Sequence, residues 1–389
     1  SRHLGIDIDY DKPIKGTHSI ISAGYRGDFH LRTRHYLTEN FDPGSQAYIN
    51  DDTASNNIQY LDNVQGAYLD FTSYIKDFRY RLGLRAEQTE TSFNLYDGGS
   101  DYHHTYINLF PFVSLDQQLK DHSRLHFSYH MRIDRPGLSE LNPYIYYNDP
   151  YNISYGNPSL KPSVTNDFQL GFSRFLPDGK FGFDARLRYS HQGDISKQIT
   201  EVNSKGIAEA TYKNIAAGNS YGGHIYIGYH PLQSLNISLF AYDNNTAYQL
   251  TDTFNVLLHN SSSIGGNANI NYDFSKSVSA EVSLNYDKAT TGQGVGYESF
   301  RHSVAVRYTF PGNKLSLNLR AIDPFHQSNN TNESIGNNFI IDTHTNNKSR
   351  HFSLSLSYRF DRIGKNNGDK QEVGNGEEHN RYNGGGCQH

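Results

Sequence analysis

The sequence predicts an all-β fold, a transmembrane antiparallel up-and-down β-barrel. Three observations predict it: apolar and polar residues alternate, short turns alternate with long loops, and aromatic residues flank the turns. Alternation with a period of two places apolar side chains on one face of a strand, whereas an amphipathic helix repeats them every three or four positions. The 389 residues also include 30 Tyr and 22 Phe but only 12 Pro, a composition that favours strands.

The alternation is clearest between Ser123 and Asp134, where every second residue is apolar or aromatic. These residues are Leu125, Phe127, Tyr129, Met131 and Ile133, and polar or charged residues separate them. The pattern returns over residues 78–86, 181–189, 278–286, 315–319 and 352–360. A strand of a membrane barrel needs about 9–11 residues to cross the bilayer, whereas globular strands usually have about five or six. Most of these segments therefore favour a membrane barrel over a soluble sandwich or propeller.

The connections differ in length from one side of the predicted barrel to the other. Short turns lie at residues 76–77, 120–122, 177–179, 231–233, 275–277 and 311–313. Long polar connections occupy Glu39–Asn57, Arg135–Pro162 and His326–Lys348. Outer-membrane barrels have short periplasmic turns and long extracellular loops. The asymmetry therefore predicts a barrel in the bacterial outer membrane.

Aromatic residues cluster where the predicted strands meet the short turns. The set comprises Tyr74, Phe78, Phe175, Phe181, Tyr229, Tyr272, Phe274, Tyr308 and Phe310. Amphipathic aromatic side chains form girdles at the headgroup level of a bilayer. We therefore expect outer-membrane lipid to be a partner of this chain.

Composition excludes several other classes of protein. A mean hydropathy of −0.71 and a hydrophobic share of 35% are low for a helical membrane protein, and no run approaches the roughly 18 apolar residues that a spanning helix needs. The net charge of −5 comes with no basic stripe, which argues against a nucleic-acid partner. Cys387 is the only cysteine, so neither a disulfide framework nor a cysteine-based metal site can form within the chain.

About fifteen strands can be counted, from Arg2–Tyr10 to Arg350–Asp361. Single-chain bacterial barrels have an even number of strands, so the odd count predicts further strands before Ser1. We therefore expect the C-terminal part of a larger barrel, with 14–16 strands in residues 1–361. Residues 362–389 are rich in Gly, Asn, Glu and Lys, which predicts a disordered polar tail.

The loop Arg135–Pro162 carries a motif in three parts. These are Arg135-Pro136, then Leu141-Asn142-Pro143, then Gly156-Asn157-Pro158-Ser159-Leu160-Lys161-Pro162. The arrangement resembles the barrel of TonB-dependent receptors from the Bacteroidetes, in which an R-P pair ends a strand, L-N-P follows, and G-N-P-x-L-x-P opens the next strand. The resemblance covers Ser1–Phe360 and is strongest to the outer membrane protein β-barrel family.

This resemblance implies a transporter and not an enzyme. Such receptors have an N-terminal plug and a barrel of about 22 strands, and they import scarce ligands such as siderophores, vitamins, glycans or peptides with energy delivered by TonB. It therefore implies a plug domain, the TonB complex and a small ligand as partners, and no cofactor. Neither the plug nor a TonB box is recognisable in these 389 residues.

The prolines of the motif restrict the backbone conformation of the loop. Pro136, Pro143, Pro158 and Pro162 cannot continue a ladder and restrict the residues before them, which predicts a shaped, ordered loop. Its tyrosines are candidate ligand contacts, since Tyr supplies large amphipathic contact area, although packing of the loop against neighbouring loops is the favoured explanation. They are Tyr144, Tyr146, Tyr147, Tyr151 and Tyr155.

No catalytic or metal site is predicted. His103 and His104 are adjacent in a strand and point to opposite faces. His126 and His130 share a face, but four residues along a strand separate them by about 13 Å, too far for one ion. No G-x-S-x-G, HExxH, P-loop or EF-hand pattern occurs.

Two alternatives to an importer remain open at this point. The first is a passive porin-like channel, whose selectivity would be tuned by arginines on the inner face. These arginines are Arg79, Arg81, Arg85, Arg186 and Arg188. The second alternative is a soluble surface-binding β protein.

Overall fold

The computed structural model describes residues 1–50, 55–95, 102–149, 151–250, 259–291, 294–325, 329–335, 340–346 and 349–360. Within them lie 21 strands and one short helix, α1 (Leu138–Leu141). None of the helical structure described is long and apolar enough to cross a membrane. The predicted tail, residues 362–389, lies outside the described residues.

The strands are β1 (Arg2–Pro13), β2 (Ile20–Tyr36), β3 (Glu39–Asp42), β4 (Ala47–Asn50), β5 (Asn56–Ile75), β6 (Phe78–Leu95), β7 (Tyr102–Gln118), β8 (Ser123–Asp134), β9 (Tyr146–Asp149), β10 (Asn152–Ser154), β11 (Ser163–Phe175), β12 (Phe181–Val202), β13 (Ala208–Leu232), β14 (Leu235–Leu250), β15 (Ser261–Asp273), β16 (Val278–Thr291), β17 (Gly294–Thr309), β18 (Leu315–Ile322), β19 (Asn329–Ile335), β20 (Ile340–Asn346) and β21 (His351–Tyr358).

A single sheet of 17 strands forms the wall. Leaving out the short loop strands β9 and β10, 15 strands remain, each antiparallel to the next along the chain in an up-and-down order. The predicted all-β antiparallel fold and the count of about fifteen strands are confirmed. Over the described part of the chain, β1 pairs only with β2, and β21 only with β18.

The cross-strand register joins the apolar residues into a continuous exposed face. Leu170 on β11 stands between Phe127 of β8 and Leu187 of β12, and both leucines are exposed. Soluble monomers rarely expose contiguous apolar patches larger than a few hundred Å². A face of this kind, repeated along the sheet, fits the lipid-facing wall that the alternation predicts.

The opposite face of the wall carries charges that are paired with one another. Arg81 Nε donates to Asp70 Oδ2 at 2.6 Å, and Arg188 donates to the fully buried carboxylate of Asp167. Such charge-assisted hydrogen bonds satisfy groups that could not face lipid. This polar face is called the inner face below.

The two ends of the sheet differ in the connections that they carry. On the end called the turn side, the predicted short turns place Lys76, Asp121 and His122 at positive φ between 54° and 57°. On the other end, called the loop side, the three long connections carry the small hairpins β3–β4, β9–β10 and β19–β20. With 22 and 25 residues, β12 and β13 extend far beyond the about 9–11 residues that cross a bilayer.

Candidate functional site

The motif loop begins with an arginine that ties it to a strand two positions away in the sheet. Arg135 follows the last residue of β8, and its Nη2 donates to Glu87 Oε2 on β6 at 2.6 Å. Its Nε donates to Thr89 Oγ1 at 3.2 Å. Hydrogen bonds to an ionised partner are stronger than neutral ones. Arg135 therefore fixes the start of the loop against the inner face.

The motif leucines build a small apolar core beneath the loop. Leu138 and Leu141 of α1, together with Leu160, pack into a buried cluster with residues from the loop ends of β5 and β6. The wall contributes Ile58, Tyr60 and Phe93. Fully burying a leucine stabilises a fold by about 1.5–3 kcal/mol. The leucines of L-N-P and G-N-P-x-L-x-P thus dock the loop on the wall.

The second and third parts of the motif are joined backbone to backbone. The Gly156 amide donates to Asn142 O, and the Asn157 amide donates to Glu140 O, both at 2.6 Å. A Cβ on Gly156 would lie 2.6 Å from the backbone of Asn142 and of Glu140, so only glycine fits this crossing. Asn142 is itself buried and donates from its side chain to the Tyr146 hydroxyl at 2.9 Å.

The loop also completes the edge of a distant strand. Strand β14 pairs with β13 only from Ala216 onwards. Before that point, at residues 208–210 of β13, the loop strand β10 pairs with β13 in parallel. Further along the loop, Asn157 Nδ2 donates to Tyr212 O at 2.9 Å, and the Lys161 amide donates to Asn214 Oδ1 at 2.8 Å. The loop is therefore held on both sides, by β6 and by β13.

A cleft of about 460 Å³ lies between the motif loop and β13. Its lining consists of Pro143, Ile145, Tyr155, Gly156, Asn157, Pro158, Thr211, Tyr212 and Lys213. Burial, reinforced by the nearby carboxylates of Glu209 and Glu201, raises the pKa of the Tyr155 phenol. The cleft offers Tyr155, apolar proline surface and Lys213, whose ammonium lies 3.7 Å from Glu201 Oε1, while the Tyr212 side chain packs against the leucine cluster. None of its described lining residues is a histidine or a carboxylate.

The five loop tyrosines divide into three groups. Tyr155 lines the cleft. Tyr144 and Tyr146 pack edge to face, 5.0 Å apart, and both approach the ring of Tyr36 at the end of β2. Tyr147 and Tyr151 are 67% and 69% exposed, outside the cleft. Ligand contact by these residues stays a prediction, and Tyr155 is the one that the cleft favours.

The cleft has one wall made by the motif loop, which the sequence predicts, and one made by β13, which it does not. Pro143, Tyr155, Gly156, Asn157 and Pro158 were predicted as motif or contact residues, and all of them line the cleft. The residues contributed by β13 lie about fifty positions later, and nothing in the sequence indicates that a loop strand pairs with their edge. The parallel pairing of β10 is the signal that only the structure supplies.

Comparison with known proteins places this geometry in context. A family model described as "Outer membrane protein beta-barrel family" matches residues 1–358. No curated protein matches the chain. Among solved structures, the copper transporter OprC matches 92% of this chain and 56% of its own, with a TM-score of 0.68 and 13% identity.

Two further solved structures match the same share of the chain. The ferric citrate transporter FecA, in its unliganded form, has a TM-score of 0.64 at 13% identity over 54% of its length. The FrpB iron transporter from Neisseria meningitidis has a TM-score of 0.61 at 13% identity over 56%. The chain thus spans about half the length of these transporters. At such low identity the likeness shows a shared barrel fold.

Proposed function

Because the chain belongs to the outer membrane protein β-barrel family, we propose that it forms the barrel wall of a TonB-dependent importer rather than an enzyme. The family match over residues 1–358 carries the proposal. It also confirms the predicted location in the bacterial outer membrane, which removes the soluble alternative. The fold shared with copper, ferric citrate and iron transporters supports an import role.

The cleft beside the motif loop is the proposed first contact for the ligand. It lies on the loop side, which in a bacterial barrel faces the exterior. Tyr155 and the prolines of the cleft offer surface for an apolar or planar group. Lys213, whose Nζ also lies 3.7 Å from Glu201 Oε1, offers N–H donors to an acceptor group. Siderophores, vitamins, glycans and peptides include members with such groups. A plug domain and the TonB complex are the partners that this proposal requires.

The structure gives less support to a passive channel with an arginine-lined pore. Arg85 pairs with Glu87 and Arg186 with Asp184, in addition to the pairs of Arg81 and Arg188 described above. Four of the five arginines proposed to set selectivity therefore have a carboxylate partner. A paired arginine contributes little net field to a pore, so the importer is the better-supported function.

Energy-dependent uptake tests the proposal. A strain lacking this gene is compared with its parent for accumulation of a ferric siderophore, cyanocobalamin, an oligosaccharide and a peptide, each radiolabelled and supplied at a limiting concentration. We expect the deletion to abolish uptake of one ligand, and loss of TonB to have the same effect. Uptake that depends on the gene but not on TonB would instead indicate a passive channel.

Complementation with point variants tests the cleft. Tyr155→Ala and Lys213→Gln should reduce initial uptake at limiting ligand by about tenfold, because each removes a contact worth about 1–2 kcal/mol. Tyr151→Ala is the matched control, since Tyr151 belongs to the same loop but is exposed outside the cleft. Equal uptake by all three variants, at equal amounts in the membrane, would remove the cleft from the import route.

A further inference from the structure

The first two strands bring two histidines and an aspartate together on the inner face. His3 of β1 stands directly opposite His30 of β2 in the antiparallel ladder. Asp28 lies two residues before His30, so that its side chain leaves the same face of the strand. Directly opposite Cβ atoms are about 4.5–5.5 Å apart, and neighbours along one face about 7 Å. All three side chains can therefore converge on one point.

The side chains do converge in the structure. The nearest imidazole nitrogens and carboxylate oxygen of the three residues all lie within 4.8 Å of one another. His3 Nε2 is 3.5 Å from Asp28 Oδ1, and the two imidazole rings stack with centroids 4.1 Å apart. The His3 side chain is 55% exposed, so water can reach the cluster.

We propose that His3, Asp28 and His30 bind a single divalent transition-metal ion. Ligand atoms around a bound Zn²⁺ stand about 2.0–2.2 Å from the ion, so side-chain rotations, chiefly of the exposed His3, would bring the three ligand atoms to that distance. Two imidazole nitrogens and one carboxylate oxygen suit Zn²⁺, Ni²⁺ and Cu²⁺, with Cu²⁺ bound most tightly. Ca²⁺ and Mg²⁺ prefer sites made of oxygen alone. Water completes the coordination.

Neighbouring charges support the carboxylate ligand. Arg26 Nε donates to Asp28 Oδ2 at 2.9 Å, which leaves Oδ1 directed at His3. Outer partners of this kind fix the orientation of a metal ligand. Asp7 lies 3.7 Å from Arg26, and Asp62 of β5 stands opposite His30 in the ladder. These carboxylates offset the positive charge that Arg26 and the ion would bring together.

Another histidine–carboxylate pair on the inner face lacks the second imidazole that the cluster of His3, Asp28 and His30 has. His126 Nδ1 lies 2.7 Å from Asp116 Oδ1, but Arg124 donates to the same oxygen. No second imidazole joins this pair among the described residues. His126 is therefore the matched control for a histidine that has a carboxylate neighbour without a binding site.

Metal titration of the purified full chain tests the proposal, independently of any transport assay. The protein is folded in detergent without an affinity tag, and His379, Cys387 and His389 of the tail are replaced in every variant to lower background binding. Calorimetric titration with ZnCl₂ and CuCl₂ measures affinity and stoichiometry. Electron paramagnetic resonance of the Cu²⁺ form reports how many nitrogens coordinate the ion.

We expect one tight ion with two coordinating nitrogens. His3→Ala, His30→Ala and Asp28→Asn should each weaken binding by about tenfold to a hundredfold, while His126→Ala should leave it unchanged. His3→Ala decides the matter if another variant fails to fold, because the His3 side chain is 55% exposed and its loss opens no cavity. Unchanged affinity and nitrogen count in His3→Ala would overturn the proposal, as would an equal loss in His126→Ala. Neither outcome bears on uptake of the imported ligand.

Discussion

Gly156→Ala should separate the second and third parts of the motif loop from each other while the barrel stays folded. The new Cβ would lie 2.6 Å from backbone atoms of Asn142 and Glu140, which cannot move aside as a side-chain tip could. Overpacking of this kind costs about 1–3 kcal/mol. Separating these two segments of the loop also removes the hydrogen bonds Gly156–Asn142 and Asn157–Glu140. Each of them is worth about 1 kcal/mol net. The expected loss of free energy at this crossing within the loop is therefore about 3–5 kcal/mol.

Hydrogen exchange measured by mass spectrometry resolves this effect. Because about 1.4 kcal/mol corresponds to a factor of ten, amide exchange in peptides covering residues 138–142 and 155–160 should accelerate at least a hundredfold. Gly137→Ala is the matched control in the same loop, since the nearest atom to its Cβ would be Glu140 Oε2 at 4.0 Å. Wild-type protection in Gly156→Ala, or equal losses in both variants, would refute the reasoning.

Three further predictions address the anchor, the lipid face and pH. Arg135→Met should accelerate exchange in α1 about tenfold, because it removes both hydrogen bonds to β6; an unchanged rate would contradict the anchor. Leu84→Lys, on the exposed apolar face, should lower the unfolding free energy in liposomes by about 2–4 kcal/mol, whereas Leu37→Lys in a loop should not. Hydrogen bonds from the hairpin β9–β10 lower the pKa of Asp149 below 3.8. Protection of that hairpin should therefore be full at neutral pH and fall as the pH drops below about 3.8, and Asp149→Ala should abolish this dependence.

The wall was predictable because its signal is local. The alternation from Ser123 to Asp134 matches β8, and it assigns each side chain to a face without any knowledge of pairing. Turn residues such as Lys76 mark where the chain reverses. The same local signals place the strands in order, because consecutive antiparallel strands joined by turns pair with each other. A barrel of about 22 strands for the full protein stays a prediction.

The functional groups were less predictable because they depend on register and on contacts between distant parts of the chain. Nothing in the sequence around His3 indicates that it faces His30, since that pairing depends on the length of the turn between β1 and β2. The histidine pairs that stand out in the sequence, such as His126 and His130, lie at short spacing along one strand, and the pleat keeps them apart. Tyr212 was not predictable for the same reason, because it meets the motif loop through Asn157 and the leucine cluster, which lie about fifty or more positions earlier in the chain.

The clusters of buried apolar residues lie where the loops meet the wall, and not along the membrane-facing part of the sheet. The two buried clusters both lie towards the loop side, where strands extend past the apolar belt. Their members are Ile58, Tyr60, Phe93, Leu138, Leu141 and Leu160 in one, and Ile199, Ile215 and Ala216 in the other. The wall itself is stabilised by its hydrogen-bonded ladder and by burial of its outer face in lipid. A change in a leucine of the motif loop therefore alters how the loop packs on the wall, while the ladder nearer the turn side keeps its pairing.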